Sequence, residues 1–197
     1  MRLGIVADVH CDAGLLAVAA AEMTAAGVDE ILLAGDAHYE YRFSNEVTEV
    51  IREYGMRYIA GNHELRLMGP TGERARSAPH VRRSNLEFVA GIPVSLDTVV
   101  DGRRLLMVHG CPWPPYDRYL NSDDPDFRQC GELGADILIM GHTHVPVCKR
   151  VGQTLVINPS SLGKSLDPAG FGLMSYALLD TASEEVTMVR RPKPEIS

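Results

Sequence analysis

Asp8, His10, Asp36, Asn62, His63, His109, His142 and His144 each stand at or just past the end of a short apolar run, and their side chains are those that hold metal ions. Imidazole, carboxylate and amide oxygen, without thiolate, form a mixed nitrogen and oxygen ligand set. Such a set suits Mn, Fe, Zn or Co better than an all-oxygen Ca or Mg site or a cysteine-rich structural zinc site. So many candidate ligands exceed the needs of one ion. They suffice for two if one carboxylate bridges, and a pair of ions about 3.5 to 4 Å apart is the arrangement that clamps a phosphoryl group during in-line displacement. Five of the seven histidines occupy these places, a recurrence not expected of histidines satisfied one by one in a core.

The elements that must position them are the apolar runs themselves: Leu3 to Ala7, Ile31 to Ala34, Tyr58 to Ala60, Leu105 to Val108 and Ile137 to Met140. Each is short enough and apolar enough for a strand buried on both faces. In an open α/β sheet, polar residues beyond the carboxyl ends of such strands converge although they are distant in sequence. If the backbone stays extended, Asp8 and His10 point to one side, as do His142 and His144, because strand side chains alternate.

Between the runs, Leu15, Leu16, Ala19, Ala20 and Met23 recur at helical spacing with Gly27 as a stop, and Val47, Val50, Ile51 and Tyr54 repeat the pattern before Gly55. This alternation predicts βαβ units for the first two-thirds of the chain. Asp101-Gly102 predicts a hairpin between Val94 to Val100 and Arg103 to Val108. Cys111 to Asp126, rich in proline and acids, reads as a long loop leaving the site. Val145 to Arg150, Thr154 to Ile157, Gly172 to Leu179 and Val186 to Arg190 read as mainly antiparallel strands. The stretch of residues 70–83 reads as a surface loop or short lid. Its arginines are solvated charges on the simpler reading, with Arg82 and Arg83 as candidate substrate-phosphate contacts on the sharper one.

Composition sets the outer bounds. A chain of 197 residues with 45% hydrophobic and 23% charged residues fits one globular domain, residues 1–197, rather than a disordered one. A formal net charge of -7 gives no general help to binding bulk nucleic acid, whereas bound cations would reverse the local field for a small phosphorylated substrate. No run is long enough to span a membrane. The first residues read as a strand rather than a secretory signal, so a cytoplasmic location is expected. Cys11, Cys111, Cys130 and Cys148 form no CxxC pair and read as reduced thiols. Cys11 and Cys111 each follow a candidate ligand closely, which raises a redox or metal-contacting role beside the simpler one of small buried hydrophobes.

Taken singly, D-x-H and GD are weak signals, but GNHE at Gly61 to Glu64 and GHTH at Gly141 to His144 are sharp. In fixed order, each after an apolar run, D-x-H, GD, GNHE, VHG and GHTH resemble the calcineurin-like metallophosphoesterase family from Asp8 to His144. HGCPWPPYDRYL at His109 to Leu120 and NPSSLGKSLDPAGFGLMSYALLD at Asn158 to Asp180 are similar to patterns of its small bacterial and archaeal, phosphodiesterase-like branch. The resemblance implies an αββα sandwich: two mixed β-sheets packed face to face with helices outside.

The resemblance also implies that Asp8, His10 and His144 hold one divalent ion, Asn62, His109 and His142 another, and Asp36 both. Manganese is the first expectation for the metal, with Fe, Zn, Co or Ni as alternatives. A hydroxide generated at the ions would attack phosphorus, and His63, left without a metal, would protonate the leaving group as general acid. Asn62 and His63 would also contact the substrate. The expected substrate is a small phosphodiester, nucleotides included. A phosphomonoester or phosphoprotein is the second choice, and a homo-oligomer is left open. A different class is the non-catalytic interaction scaffold that a retromer subunit makes of this fold, but there the catalytic histidine is lost, whereas here all eight positions are filled. Trp113, Tyr116 and Tyr119 offer rings for stacking on a base, or for packing under their own loop.

The chain departs from the family pattern in three places. Many relatives carry GDxxD, whose second aspartate orients the catalytic histidine; here GDAHY places Tyr39 there. His38 intrudes nearby, as a loop histidine or as a substrate contact. GKSL at Gly163 to Leu166 replaces GQPR, with Lys164 as the candidate substitute for the arginine.

Overall fold

In a computed structural model, which describes residues 1–194, ten strands form two five-stranded sheets. The first is ordered β10-β9-β1-β2-β3, from β1 (Arg2–Val6), β2 (Glu30–Leu33), β3 (Arg57–Tyr58), β9 (Leu173–Asp180) and β10 (Glu185–Pro192). The second is ordered β4-β5-β6-β8-β7, from β4 (Ser95–Val100), β5 (Arg103–Val108), β6 (Ile137–Ile139), β7 (Val147–Val151) and β8 (Thr154–Asn158). Both sheets are mixed. Strands β1, β2 and β3 run parallel, as do β5, β6 and β8, and the remaining pairings are antiparallel. The strands of the last third pair mainly antiparallel, as expected, with one exception: β8 lies parallel to β6, with Ile137 opposite Leu155.

The sheets meet face to face through Leu3, Ile5 and Leu32 on one side and Leu105, Met107, Ile137 and Ile157 on the other, all essentially buried. The alternate residues of the first sheet, Val6, Ile31 and Leu33, face outward onto α1 (Ala13–Ala25) and α2 (Asn45–Glu53). A strand covered on both faces has no polar side to show, which is why these runs read as continuously apolar. Helix α1 starts at Asp12, whose carboxylate accepts from the Leu15 amide at 3.0 Å, and ends before Gly27 at φ 74°. In the β4–β5 turn both Asp101 (φ 50°) and Gly102 (φ 77°) are left-handed, as a two-residue primed hairpin requires.

The outer layer on the second sheet is thin. A 3-10 helix, Pro125–Glu132, and the preceding loop cover it through Phe127, Cys130, Leu120 and Cys111. That loop does not simply leave the site, as its prolines and acids suggest: its apolar residues cover the sheet while Asp117 and Tyr119 return to His142. The 70–83 region is likewise more ordered than its composition suggests. Helices α3 (Asn62–Met68), α4 (Glu73–Arg76) and α5 (Arg83–Ala90) share a small core of Phe43, Leu67, Ala75 and Val89. Among the described residues, no helix is long and apolar enough to cross a membrane.

Candidate metal centre

The loops after β1 and β2 are tied together by three backbone bonds: the amides of Asp8, His10 and Cys11 donate to the carbonyls of Gly35, Asp36 and Ala37 at 3.1, 3.0 and 2.8 Å. Extended backbone does not explain how their side chains converge. Asp8 (φ 55°), His10 (φ 52°), Asp36 (φ 55°), His142 (φ 69°) and His144 (φ 57°) are all left-handed. That conformation costs a non-glycine residue about 1 to 2 kcal/mol, and such strain persists only where surrounding structure enforces it, as at functional sites. The expectation that alternation along a strand aims these pairs is therefore corrected: the chain turns at each residue.

Two motif glycines are needed for close approach. A Cβ on Gly35, itself at φ 90°, would lie 2.4 Å from His109 Nδ1, and one on Gly61 would lie 2.1 Å from Asp36 Oδ1. Buried Glu64 then fixes the loops: it accepts from the amides of Asp36, His38 and Gly61 at 2.9, 2.8 and 2.8 Å. The His63 amide donates to Asp36 Oδ1 at 2.9 Å. From the far side, Ser161 Oγ donates to the Asp8 carbonyl and Ser160 Oγ to the His144 carbonyl, each at 2.7 Å. Asn158 Nδ2 holds the Gly141 carbonyl, also at 2.7 Å. Motif matching recovered these residues as letters without their roles.

Three groups of ligand atoms lie within 4.8 Å of one another: Asp8 with His10 and His144; Asp36 with His109 and His142; and His10 with Asp36 and His63. Asn62 joins the second, its Oδ1 being 3.1 Å from His109 Nε2, which is also 3.1 Å from Asp36 Oδ2. The second nitrogens of three rings are fixed by carbonyls. His109 Nδ1 pairs with Ala34 at 2.7 Å, His142 Nε2 with Asp117 at 2.9 Å and His144 Nδ1 with Lys164 at 2.9 Å. A carbonyl can only accept, so each of these nitrogens carries the proton and the other faces inward as a lone pair when the ring is neutral.

These residues fit a divalent cation on three observations. Asp8 Oδ1 is buried without a hydrogen-bond donor, a costly condition for a carboxylate in the interior. His10 Nε2 and His144 Nε2 face each other at 3.0 Å, with Asp8 Oδ1 3.3 Å from the latter. The two buried carboxylates also demand positive charge. Although burial opposes it, Asp36 and Asp8 hold the His109 imidazole up at about 10, and Asp36, despite its own burial, is held well below the usual carboxylate range by His109 and His63. Burial, by contrast, takes His10 down to about 4, against the pull of Asp8 and Asp36.

His63 stands at the edge of this cluster. Its Nε2 is 3.7 Å from Asp36 Oδ2, and its Nδ1 pairs with the Glu40 carboxylate. Glu40 is one residue beyond the position where the family pattern has aspartate. The shift by one, with a side chain one methylene longer, is the signal that sequence reading could have used. Tyr39 itself stacks on His10 at 4.6 Å, and its hydroxyl pairs with Lys164 Nζ.

The remaining candidates lie elsewhere. His38 is fully buried, stacked on Phe43 at 4.6 Å, with its nitrogens 3.3 Å from the Ser44 amide and Thr48 Oγ1. Burial lowers it to about 3, so it is a neutral core residue with no face for substrate. Arg82 pairs with Glu49 and Arg83 with Glu87, and neither lines the cavity beside the centre; the arginine that does is Arg66. Cys11 donates to the Arg42 carbonyl at 3.2 Å and is raised by burial to about 11, while Cys111 packs under the second sheet. Both are buried thiols. Trp113 packs against the same cluster, Tyr119 stacks on His142 at 4.0 Å, and Tyr116 lines the cavity.

Comparison with known proteins adds the family. A model described as the calcineurin-like phosphoesterase superfamily domain matches residues 1–184. An uncharacterised protein from Methanocaldococcus jannaschii is 23% identical, covering 95% of this chain and 86% of its own. Among solved structures, a metallophosphoesterase from Sphaerobacter thermophilus superposes with TM-score 0.73 at 24% identity, covering 98% of this chain and 90% of its own. A structure described as a novel archaeal phosphodiesterase does so with TM-score 0.66 at 20% identity, covering 97% of this chain and 100% of its own.

Proposed function

The chain belongs to the calcineurin-like phosphoesterase superfamily, and from that premise we propose that it hydrolyses a phosphodiester bond in a small molecule or nucleotide, with two divalent transition-metal ions as cofactors and His63 as general acid. Asp8, His10 and His144 would hold one ion, Asn62, His109 and His142 the other, and Asp36 both, with manganese the first choice. Such ions supply charge neutralisation for the phosphoryl oxygens and a water acidic enough to lose its proton near neutral pH.

The observation that carries this reading is the gathering of carboxylate and imidazole atoms into adjoining groups that share His10 and Asp36, with a histidine partnered by Glu40 at their edge. The Glu40 carboxylate fixes the His63 ring and offsets the charge of its protonated form, so that Nε2 faces the centre. As the bond between phosphorus and the leaving alcohol breaks, the alcohol oxygen takes the Nε2 proton, and the oxygen of water takes its place on phosphorus. General-acid help of this kind is worth about 10² to 10⁴ in rate. Asn62, at the start of α3, would contact the phosphoryl group.

The test is manganese-dependent turnover of bis-p-nitrophenyl phosphate against p-nitrophenyl phosphate. The diester is expected to be preferred, with activity abolished in Asp36→Ala and His63→Ala. Equal turnover without divalent ions, or an Asp36→Ala variant as fast as the parent, contradicts the reading.

A further inference from the structure

Beside the centre lies a cavity of about 750 Å³, within the range of pockets that enclose whole small molecules and far larger than a phosphoryl group needs. Asn62 and His109, of the candidate metal ligands, belong to its lining. Leu65, Val94, Leu106 and Tyr116 are among the residues of its walls, and Arg66 is part of its lining. Leu65, Val94 and Tyr116 are 55%, 59% and 66% exposed, so apolar surface is left facing water at the edge of a polar site. Asn62 and Arg66, four residues apart on α3, share one helix face.

The cavity lies away from the proton donor. His10, Tyr39, Glu40, His63 and Lys164 do not line it. Asn62 and His63 are adjacent on α3, and adjacent helical side chains diverge: Asn62 turns to His109, and His63 to Glu40, Tyr39 and His10. A leaving oxygen must sit against His63 Nε2, so the group that leaves is not the one that fills the cavity.

We infer that this cavity binds the apolar ester arm that stays on phosphorus, and that the substrate is an anionic phosphodiester whose retained arm is a ring-sized apolar group. The inference rests on the phosphodiesterase reading above. A phosphomonoester has one organic arm, which departs, and so leaves the cavity empty. A diester fills it. Arg66, which forms no ion pair among the described residues, offers a guanidinium to an anionic ester, and Asp117 lies in the same lining. The products are an alcohol and an apolar phosphomonoester.

Phenyl 4-nitrophenyl phosphate and methyl 4-nitrophenyl phosphate share a leaving group and differ only in the retained arm. In the manganese-supplemented protein, kcat/KM is expected to favour the phenyl ester by at least about tenfold, from burial of the ring. The ratio should fall toward parity in Val94→Asp, with Leu65→Asp as a second variant should the first not fold. Binding of phenylphosphonate against methylphosphonate, followed by NMR, gives a readout independent of turnover. If both esters are cleaved without preference, the cavity inference is overturned and the phosphodiesterase reading stands. If neither is cleaved but phenylphosphonate binds more tightly and Val94→Asp removes that advantage, the activity reading falls and the apolar pocket stands. If neither is cleaved and neither phosphonate is preferred, both fall.

Discussion

The two walls of the metal centre are built from opposite materials. On the His63 side, Glu40, Tyr39 and Lys164 crowd the rings of His10 and His63 with proton-bearing and charged groups. On the Asn62 side, beyond His109, the lining is mainly apolar, with Leu65, Val94, Leu106 and Tyr116 beside the charged Arg66 and Asp117. A polar wall can hold and move a proton; an apolar wall can only select what rests on it. The same short helix, α3, supplies both walls, because consecutive side chains at its start point apart.

This contrast predicts that the walls can be damaged separately. On the polar wall, Glu40→Gln is expected to lower kcat by about tenfold to a hundredfold, the usual cost of losing a carboxylate that orients a functional histidine. KM should change little, and Glu40→Asp should recover part of the rate. Since Glu40 does not touch the cavity, the preference for the phenyl over the methyl ester should survive. A Glu40→Gln variant that changes that preference would merge the two walls into one.

A smaller effect tests what stands behind the polar wall. Buried His38 is held at about 3 by desolvation, below its ordinary value. The unfolded chain therefore binds a proton there before the folded one does, and the stability at stake, complete above the ordinary histidine range, is lost as pH falls toward about 3. Between pH 6.5 and pH 5 the loss should be about 2 kcal/mol. Urea titrations should show this slope in the parent and a flatter one in His38→Gln; identical slopes would show that another group carries it.

The smallest effect concerns arginines. Arg66→Ala should raise KM for anionic diesters severalfold, while Arg82→Ala and Arg83→Ala, whose side chains are paired with Glu49 and Glu87, should leave it unchanged. A rise in KM from Arg82→Ala alone would relocate the substrate to the α2–α5 side.

Much of the polar half was legible from residue types. Short runs buried on both faces cannot show alternation, so they announce themselves by continuous apolar composition, and their ends marked the candidate ligands that the fold brings together. What was not legible has physical reasons. The left-handed backbone at Asp8, His10, Asp36, His142 and His144 carries no compositional sign, because glycine was not chosen there. Glu40 lies one place out of register with the pattern that would have flagged it. Helix α5 follows Arg82, which gives no side-chain cap, and α3 follows Gly61, inside a motif read for its chemistry. The cavity wall joins residues 60–62, 65–66, 94–95, 106, 108–112 and 116–117, and no local period links those segments.

The proposed function stands on a paired cationic centre with Asp36 common to both ions. Calorimetric titration of chelator-stripped protein with manganese, in the parent and in Asp36→Ala, tests it most directly. Two ions per chain are expected in the parent, with weakened uptake at both sites in the variant. No stoichiometric uptake by the parent, or undiminished uptake by Asp36→Ala, would contradict it.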